Sequence, residues 1–268
     1  MLSNILTPYT LCSFFVFLVG ACLGSFLNLA IYRIPLHLSV VFPRSHCPSC
    51  KKNIQNRGLI PILGFFLLKG KCFYCQNKIS RQYPLVELFC AVGTLLLFQK
   101  FFHQDYFLEL FLGKTFHFKI LLPFLLSLWL FYTGILLSFI DIKHRILPDV
   151  VTIPGIFIGL ILSSGYQGFL NSFFGALLGF FGLFLFTKLY FLLRKKEGMG
   201  FGDVKYLGFL GAVVGPLGVL YTLFFASVLG SFVGIIYGLF TKKGLSESIP
   251  FGPFLSSSAL FVFLFFLC

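Results

Sequence analysis

The chain has little charge for its length. Of 268 residues only 11% are Asp, Glu, Lys or Arg, and just eight are acidic. About a quarter of the residues of a soluble globule are charged, so this composition excludes an ordinary water-soluble domain. There is one Trp and there are two Met. No glycine-rich strand–turn–helix fingerprint marks a nucleotide cofactor site, and no internal repeat or low-complexity linker is evident. No basic run is interleaved with base-stacking aromatics, so the net charge of +13 does not read as a nucleic-acid surface.

What is abundant is apolar. Hydrophobic residues make up 58% of the chain and 40 are Phe, for a mean hydropathy of +0.96. Apolar stretches approach the roughly 20 residues that cross a bilayer. They fall near 11–31, 85–101, 120–140, 150–165, 173–193, 205–215, 217–240 and 251–268. The expected fold is therefore an all-α polytopic membrane protein of about eight transmembrane helices. Two of the runs are short, and Gly215-Pro216 separates two of them, so seven is the alternative count. Nothing basic precedes the first stretch and no small-residue cleavage site closes it, which reads as a retained helix and not a signal peptide.

Lys and Arg placement orients the helices. The one long polar segment, 32–84, carries Arg33, Arg44, Lys51, Lys52, Arg57, Lys69, Lys71, Lys78 and Arg81, and the positive-inside rule makes it cytoplasmic. Alternating spans then bring Lys143, Arg145, Arg194, Lys195, Lys196, Lys242 and Lys243 to the same side, leaving Lys100, Lys114 and Lys119 opposite. The basic excess thus reads as a topology signal with attraction to anionic membrane lipid.

Inside that segment stand two CxxC units, Cys47-Pro48-Ser49-Cys50 and Cys72-Phe73-Tyr74-Cys75, 21 residues apart. Four thiolates on two turns can close a tetrahedral zinc site, and a segment of this length has too small a core to hold itself. Disulfides or redox use, or unpaired thiols, are the alternatives. His46 reads as a turn residue. Cys12, Cys22, Cys90 and Cys268 read as small apolar residues within the spans.

Three of the acids, Asp141, Asp149 and Asp203, sit at the ends of apolar runs, where a carboxylate costs free energy unless it is capped, paired or functional. Asp149 follows Pro148 and opens a span, so helix capping explains it. Asp141 ends one span, and two further spans carry the chain out and back before Asp203, so both reach the same face. Two facing aspartates can share a proton, one activating water while the other polarises an amide carbonyl. Gly200-Phe201-Gly202-Asp203 suggests backbone that passes close to substrate beside the acid. Lys143 and Lys205 stand two residues from a candidate acid, a spacing that does not bring helix side chains together. They read as interfacial anchors. Glu87, Asp105, Glu109, Glu197 and Glu247 read as solvated or interfacial charges.

The segments Gly24-Ser25-Phe26-Leu27-Asn28, Tyr32-Arg33-Ile34-Pro35, the two CxxC pairs, Arg81–Glu87, Asp141 to Pro148-Asp149, Gly200-Phe201-Gly202-Asp203-Val204-Lys205 and Ile249–Phe254 together resemble the type IV prepilin leader peptidases, part of the GxGD membrane aspartyl proteases. The resemblance spans nearly the whole chain. It implies a first helix (1–31), a cytoplasmic CxxC loop (32–84) with zinc and a part in methylation, and a protease core (85–268). It further implies that Asp141 and Asp203 are catalytic, with Gly200 and Gly202 in the active-site loop and Cys47, Cys50, Cys72 and Cys75 holding structural Zn2+. The expected activity is cleavage of the leader of type IV prepilins, or of type II secretion pseudopilins, at the cytoplasmic face of the bacterial inner membrane. S-adenosylmethionine-dependent N-methylation of the new N-terminal residue goes with it, at a cofactor site the residues do not identify. A GxGD protease without methylation, and a polytopic transporter using its acids as ion sites, are the rival readings.

Overall fold

In hydrocarbon every backbone polar group must be satisfied within the chain, so long apolar runs fold as helices. The computed structural model describes residues 3–103, 118–195, 199–240 and 249–267, and among them it contains helices and turns but no strand. Asp105, Glu109, Lys114, Lys196, Glu197, Gly198, Lys242, Lys243, Glu247 and Cys268 lie outside the described residues. The chain packs as two units, Met1–Phe118 and Lys119–Cys268.

In the first unit, α1 (Ser3–Arg33) leads through the knuckle loop and the short α2 (Leu63–Leu67) to α3 (Gln82–Phe101). Small residues let α1 and α3 approach closely, the usual solution where lipid supplies no hydrophobic drive. A Cβ on Gly20 would stand 2.9 Å from the Ala91 Cα, and one on Gly24 would stand 2.8 Å from the Cys90 Cβ. A turn further on, Asn28 Nδ2 donates to the Tyr83 carbonyl at 3.0 Å. Position advances along α1 as it falls along α3, so the two helices are antiparallel. The buried Arg33 guanidinium donates to the carbonyls of Ser39 (2.9 Å) and Pro43 (2.8 Å), tying the loop to the end of α1. By packing, α3 therefore belongs with α1, whereas the boundary at 85 drawn from the sequence puts it with the later helices.

The second unit holds α4 (Phe118–His144), α5 (Asp149–Gln167), α6 (Phe169–Leu177), a π-helical turn into α7 (Leu183–Arg194), α8 (Phe201–Phe240), and α9 (Gly252–Val262), which continues to Leu267. A straight helix of 40 residues would measure about 60 Å, twice the hydrocarbon thickness. It is not straight. Gly215, at φ 72° and ψ 179°, breaks the helix before Pro216, and that positive φ is accessible to glycine at little cost. The chain reverses there: a Cβ on Gly211 would stand 2.9 Å from the Val219 side chain. Tyr206 on the first arm and Gly230 on the second both lie against the start of α9, and Gly218 faces Leu267 at its far end. Gln167 Nε2 donates to the Val213 carbonyl exposed by the break, at 3.0 Å.

The hairpin's first arm is the centre of the unit. Leu207, Phe209, Leu210 and Val213 are buried against Leu126, Leu130 and Leu137 of α4 and Leu255, Ala259 and Phe263 at the C-terminal helix. Along α6 and the π-helical turn after it the backbones nearly touch: a Cβ on Gly175 would lie 2.2 Å from the Gly211 carbonyl oxygen, and one on Gly179 would lie 2.4 Å from that of Leu207. Among the described residues six helices are long and apolar enough to cross a membrane. With α8 counted as two arms and Gly252–Leu267 added, the described apolar helices number eight. Arm 201–214, at about 21 Å, is shorter than the roughly 30 Å core.

Gly175→Leu forces its side chain into the α8 backbone, and overpacking of this kind costs on the order of 1–3 kcal/mol. We expect it to lower the thermal midpoint in detergent and the amount accumulated in membranes. Gly182→Ala, where a Cβ meets only Leu178 at 3.9 Å, should leave both unchanged. Equal behaviour of the two variants would show that the seam does not hold the unit together.

Candidate active site

Asp141 lies in the last turn of α4 and is only 7% exposed. Its Oδ2 accepts the backbone N–H of Gly252 at 2.8 Å. Gly252 opens α9, so the carboxylate meets the positive end of a helix. The approach requires glycine, because a Cβ there would stand 2.8 Å from the same oxygen. Asp203 lies in the first turn of α8, half-buried, with its N–H donating to the Gly200 carbonyl at 3.1 Å. Its carboxyl lies within electrostatic reach of Asp141. The two acids singled out from the sequence are thus brought together, with α5, α6 and α7 forming the out-and-back connection between them.

The two glycines before Asp203 stand in different surroundings. Neither Gly200 nor Gly202 has a positive φ, so the turn uses no conformation closed to other residues. Gly202 is needed for closeness, since a Cβ would lie 3.0 Å from that of Leu147. At Gly200 it would meet Asp203 Oδ2 at an ordinary 3.5 Å. Asp149 differs from expectation. Pro148 is the N-cap residue of α5 and no side chain caps it; the Asp149 carboxylate is held instead by Lys205 Nζ at 2.7 and 2.8 Å. At 55% exposure of Asp149 this pair contributes little to stability. Lys205 therefore faces a different acid from the one two residues before it.

Three residues around Asp141 escaped the sequence reading. Ser256 Oγ donates to the Gly252 carbonyl (2.8 Å), receives the Ser138 hydroxyl (3.1 Å) and shares a hydrogen bond with the Tyr206 hydroxyl (2.7 Å). This ties down the carbonyl of the same residue whose N–H meets Asp141. Their one sequence signal is helical spacing: Ser138 is three before Asp141, Tyr206 three after Asp203, and Ser256 four after Gly252. Beside these residues runs a groove of about 320 Å³ lined by Met199, Ser227, Gly230, Ile249, Phe251 and Phe254. Its lining is mostly apolar.

The loop of the first unit brings its four cysteines together. The sulfurs of Cys47, Cys50, Cys72 and Cys75 all lie within 4.8 Å of one another, with Cys47–Cys75 at 3.8 Å and Cys50–Cys72 at 4.0 Å. A disulfide would need about 2.05 Å. Tetrahedral thiolates 2.3 Å from a zinc ion stand about 3.8 Å apart, so the spacing fits a metal and not a pair of disulfides. The two turns are copies. In each the first cysteine's N–H donates across the turn, Cys47 to Lys52 and Cys72 to Asn77, and a left-handed residue follows the second cysteine, Lys51 and Gln76. The N–H of Cys50 draws the Cys47 thiol down to about 6, which favours the thiolate a metal needs. His46 Nδ1 turns to the Arg44 carbonyl, away from the thiols.

Fold and site together define an integral membrane protein with a paired-carboxylate centre at its helix ends. The model of the bacterial peptidase A24 N-terminal domain matches residues 18–101, and that of the type IV leader peptidase family matches 124–235. A type 4 prepilin-like proteins leader peptide-processing enzyme of Escherichia coli O78:H11 (strain H10407 / ETEC) is 35% identical over 88% of each chain. Prepilin leader peptidase/N-methyltransferases of Neisseria gonorrhoeae (34%; 91% of this chain, 87% of the relative) and Pseudomonas putida (31%; 89% and 85%) are similar. The chain belongs to the type IV leader peptidase family. No solved structure matches it.

Replacing Cys47 and Cys72 with Ser should reduce bound metal, read by elemental analysis of purified protein, from about one ion per chain to near none. Equal metal in variant and wild type would reject the site.

Proposed function

We propose that the protein cleaves the leader peptide of type IV prepilins or type II secretion pseudopilins and N-methylates the residue so exposed. The observation that carries the reading is the Asp141 and Asp203 pair, joined at helix ends in a chain of the leader peptidase family. In the reaction one carboxylate takes a proton from water as it attacks the scissile carbonyl, and the other, protonated, donates to the developing oxyanion. The proton then passes to the leaving amine. The Gly252 N–H holds one oxygen of Asp141 throughout, so its remaining oxygen has a defined direction. The apolar groove ending at Phe251 suits the hydrophobic segment of a membrane-anchored substrate, and Gly200 and Gly202 border the peptide beside Asp203.

Zn2+ fits the four thiols and would be held by Cys47, Cys50, Cys72 and Cys75, closing the loop as a structural ion. S-adenosylmethionine is the methyl donor that the second activity consumes. The protein sits in the bacterial inner membrane with the aspartates facing the cytoplasm, an orientation supported by the basic residues of 32–84 and by Lys143, Arg145, Arg194 and Lys195.

Membranes containing the protein should shorten a prepilin, and Asp141→Asn or Asp203→Asn should slow this by about 100-fold to 10,000-fold while the protein accumulates normally. Cleavage retained by both variants would reject the pair. Mass spectrometry of the mature pilin should find a methylated N-terminus; an unmodified one would leave a peptidase alone.

A further inference from the structure

Besides the aspartate pair the described residues hold one other buried carboxylate, Glu87 in α3, at 7% exposure. It lies in the first unit, on the face of α3 that packs against Gly24 of α1. Its Oε2 accepts the N–H of Ile62 at 2.6 Å, and Ser25 of α1 also hydrogen-bonds to it. One turn toward the loop lies Asn28, 3% exposed. Its Nδ2 is used by the Tyr83 carbonyl, while its Oδ1 is buried with no hydrogen-bond partner. A buried acceptor left unpaired is rare, and it stands one helical turn along α1 from Gly24, the residue packed against Glu87, on the same antiparallel seam. The two groups form a site that accepts hydrogen bonds and offers none of its own.

The group now on Glu87 is itself unusual. Ile62 has φ 63° and ψ −60°, a region that a β-branched residue seldom adopts. The loop places an N–H on the carboxylate at the cost of a backbone conformation it would not otherwise hold. That N–H stands where an N–H of a ligand would bind.

We propose that Glu87 and Asn28 bind the α-amino group of the newly exposed N-terminus for methylation, the substrate amine displacing the Ile62 N–H. This rests on the methylation half of the proposed function. The Glu87 carboxylate takes a proton from the ammonium, which frees the nitrogen lone pair. That pair forms the new N–C bond to the methyl group of the sulfonium donor as the C–S bond breaks, its electrons remaining on sulfur to give a thioether. The product is a secondary ammonium, and Glu87 returns its proton to water. Asn28 Oδ1 accepts a second N–H and orients the nitrogen.

The test uses purified full-length protein in detergent. Without methyl donor, a peptide with the mature pilin N-terminus should bind at least ten times more tightly with a free amine than N-acetylated, and Glu87→Gln should abolish that preference. With S-adenosylmethionine, Glu87→Gln should methylate at least tenfold more slowly by mass spectrometry while cleaving prepilin within twofold of wild type and retaining its metal. Wild-type methylation and amine preference in Glu87→Gln would overturn the assignment. So would loss of cleavage and metal along with methylation in both Glu87→Gln and Glu87→Asp, which would make Glu87 structural. A wild-type protein that does not methylate at all would overturn the second activity itself and not the residue assignment.

Discussion

A carboxylate at the end of an apolar helix has neither bulk water nor lipid to satisfy it, and Asp141 meets this constraint with one backbone N–H, that of Gly252. That bond sets where α9 must begin. It requires a residue without Cβ at its first position and determines the level at which the last helix of the unit meets α4. The hydroxyl cluster of Ser138, Tyr206 and Ser256 gathers at the carbonyl of the same residue, which Ser256 satisfies.

The second acid is delivered by backbone closeness. Asp203 stands at the start of an arm that passes against Gly175 of α6 and Gly179 of the π-helical turn, with gaps no side chain could occupy. In lipid such contacts supply the dispersion energy that hydrophobic burial supplies in water. The reversal at Gly215 returns the chain to the aspartate level, where Gly230 meets Phe251 and Phe254. The groove beside the acids is therefore a product of the hairpin. A straight helix would have carried residues 216–240 beyond the bilayer.

The two units hold their polar groups in different ways. The aspartate pair and its hydroxyl network lie in the C-terminal unit, and the four-cysteine cluster and the buried Glu87 lie in the N-terminal one. In the N-terminal unit the loop is fastened at three places: four thiols gathered on two matching turns, Arg33 on the carbonyls of Ser39 and Pro43, and Glu87 on Ile62. A segment this polar has little apolar core, so specific bonds replace burial as the source of its shape.

Much of this was determined by the sequence alone. Apolar run length dictated helices, Lys and Arg placement dictated which ends share a side, and two CxxC units at short spacing dictated a four-sulfur cluster, since each property is local or additive along the chain. Asp141 and Asp203 were legible because acids are conspicuous where few exist. Tertiary structure decided what depends on who meets whom. It gave Asp149 to Lys205 instead of a helix cap, turned 201–240 back on itself, recruited Ser138, Tyr206 and Ser256, and buried Glu87, which composition reads as an ordinary interfacial charge. Hydrogen bonds between residues 50 or more positions apart leave no periodic trace, and only the packed helices bring their partners together.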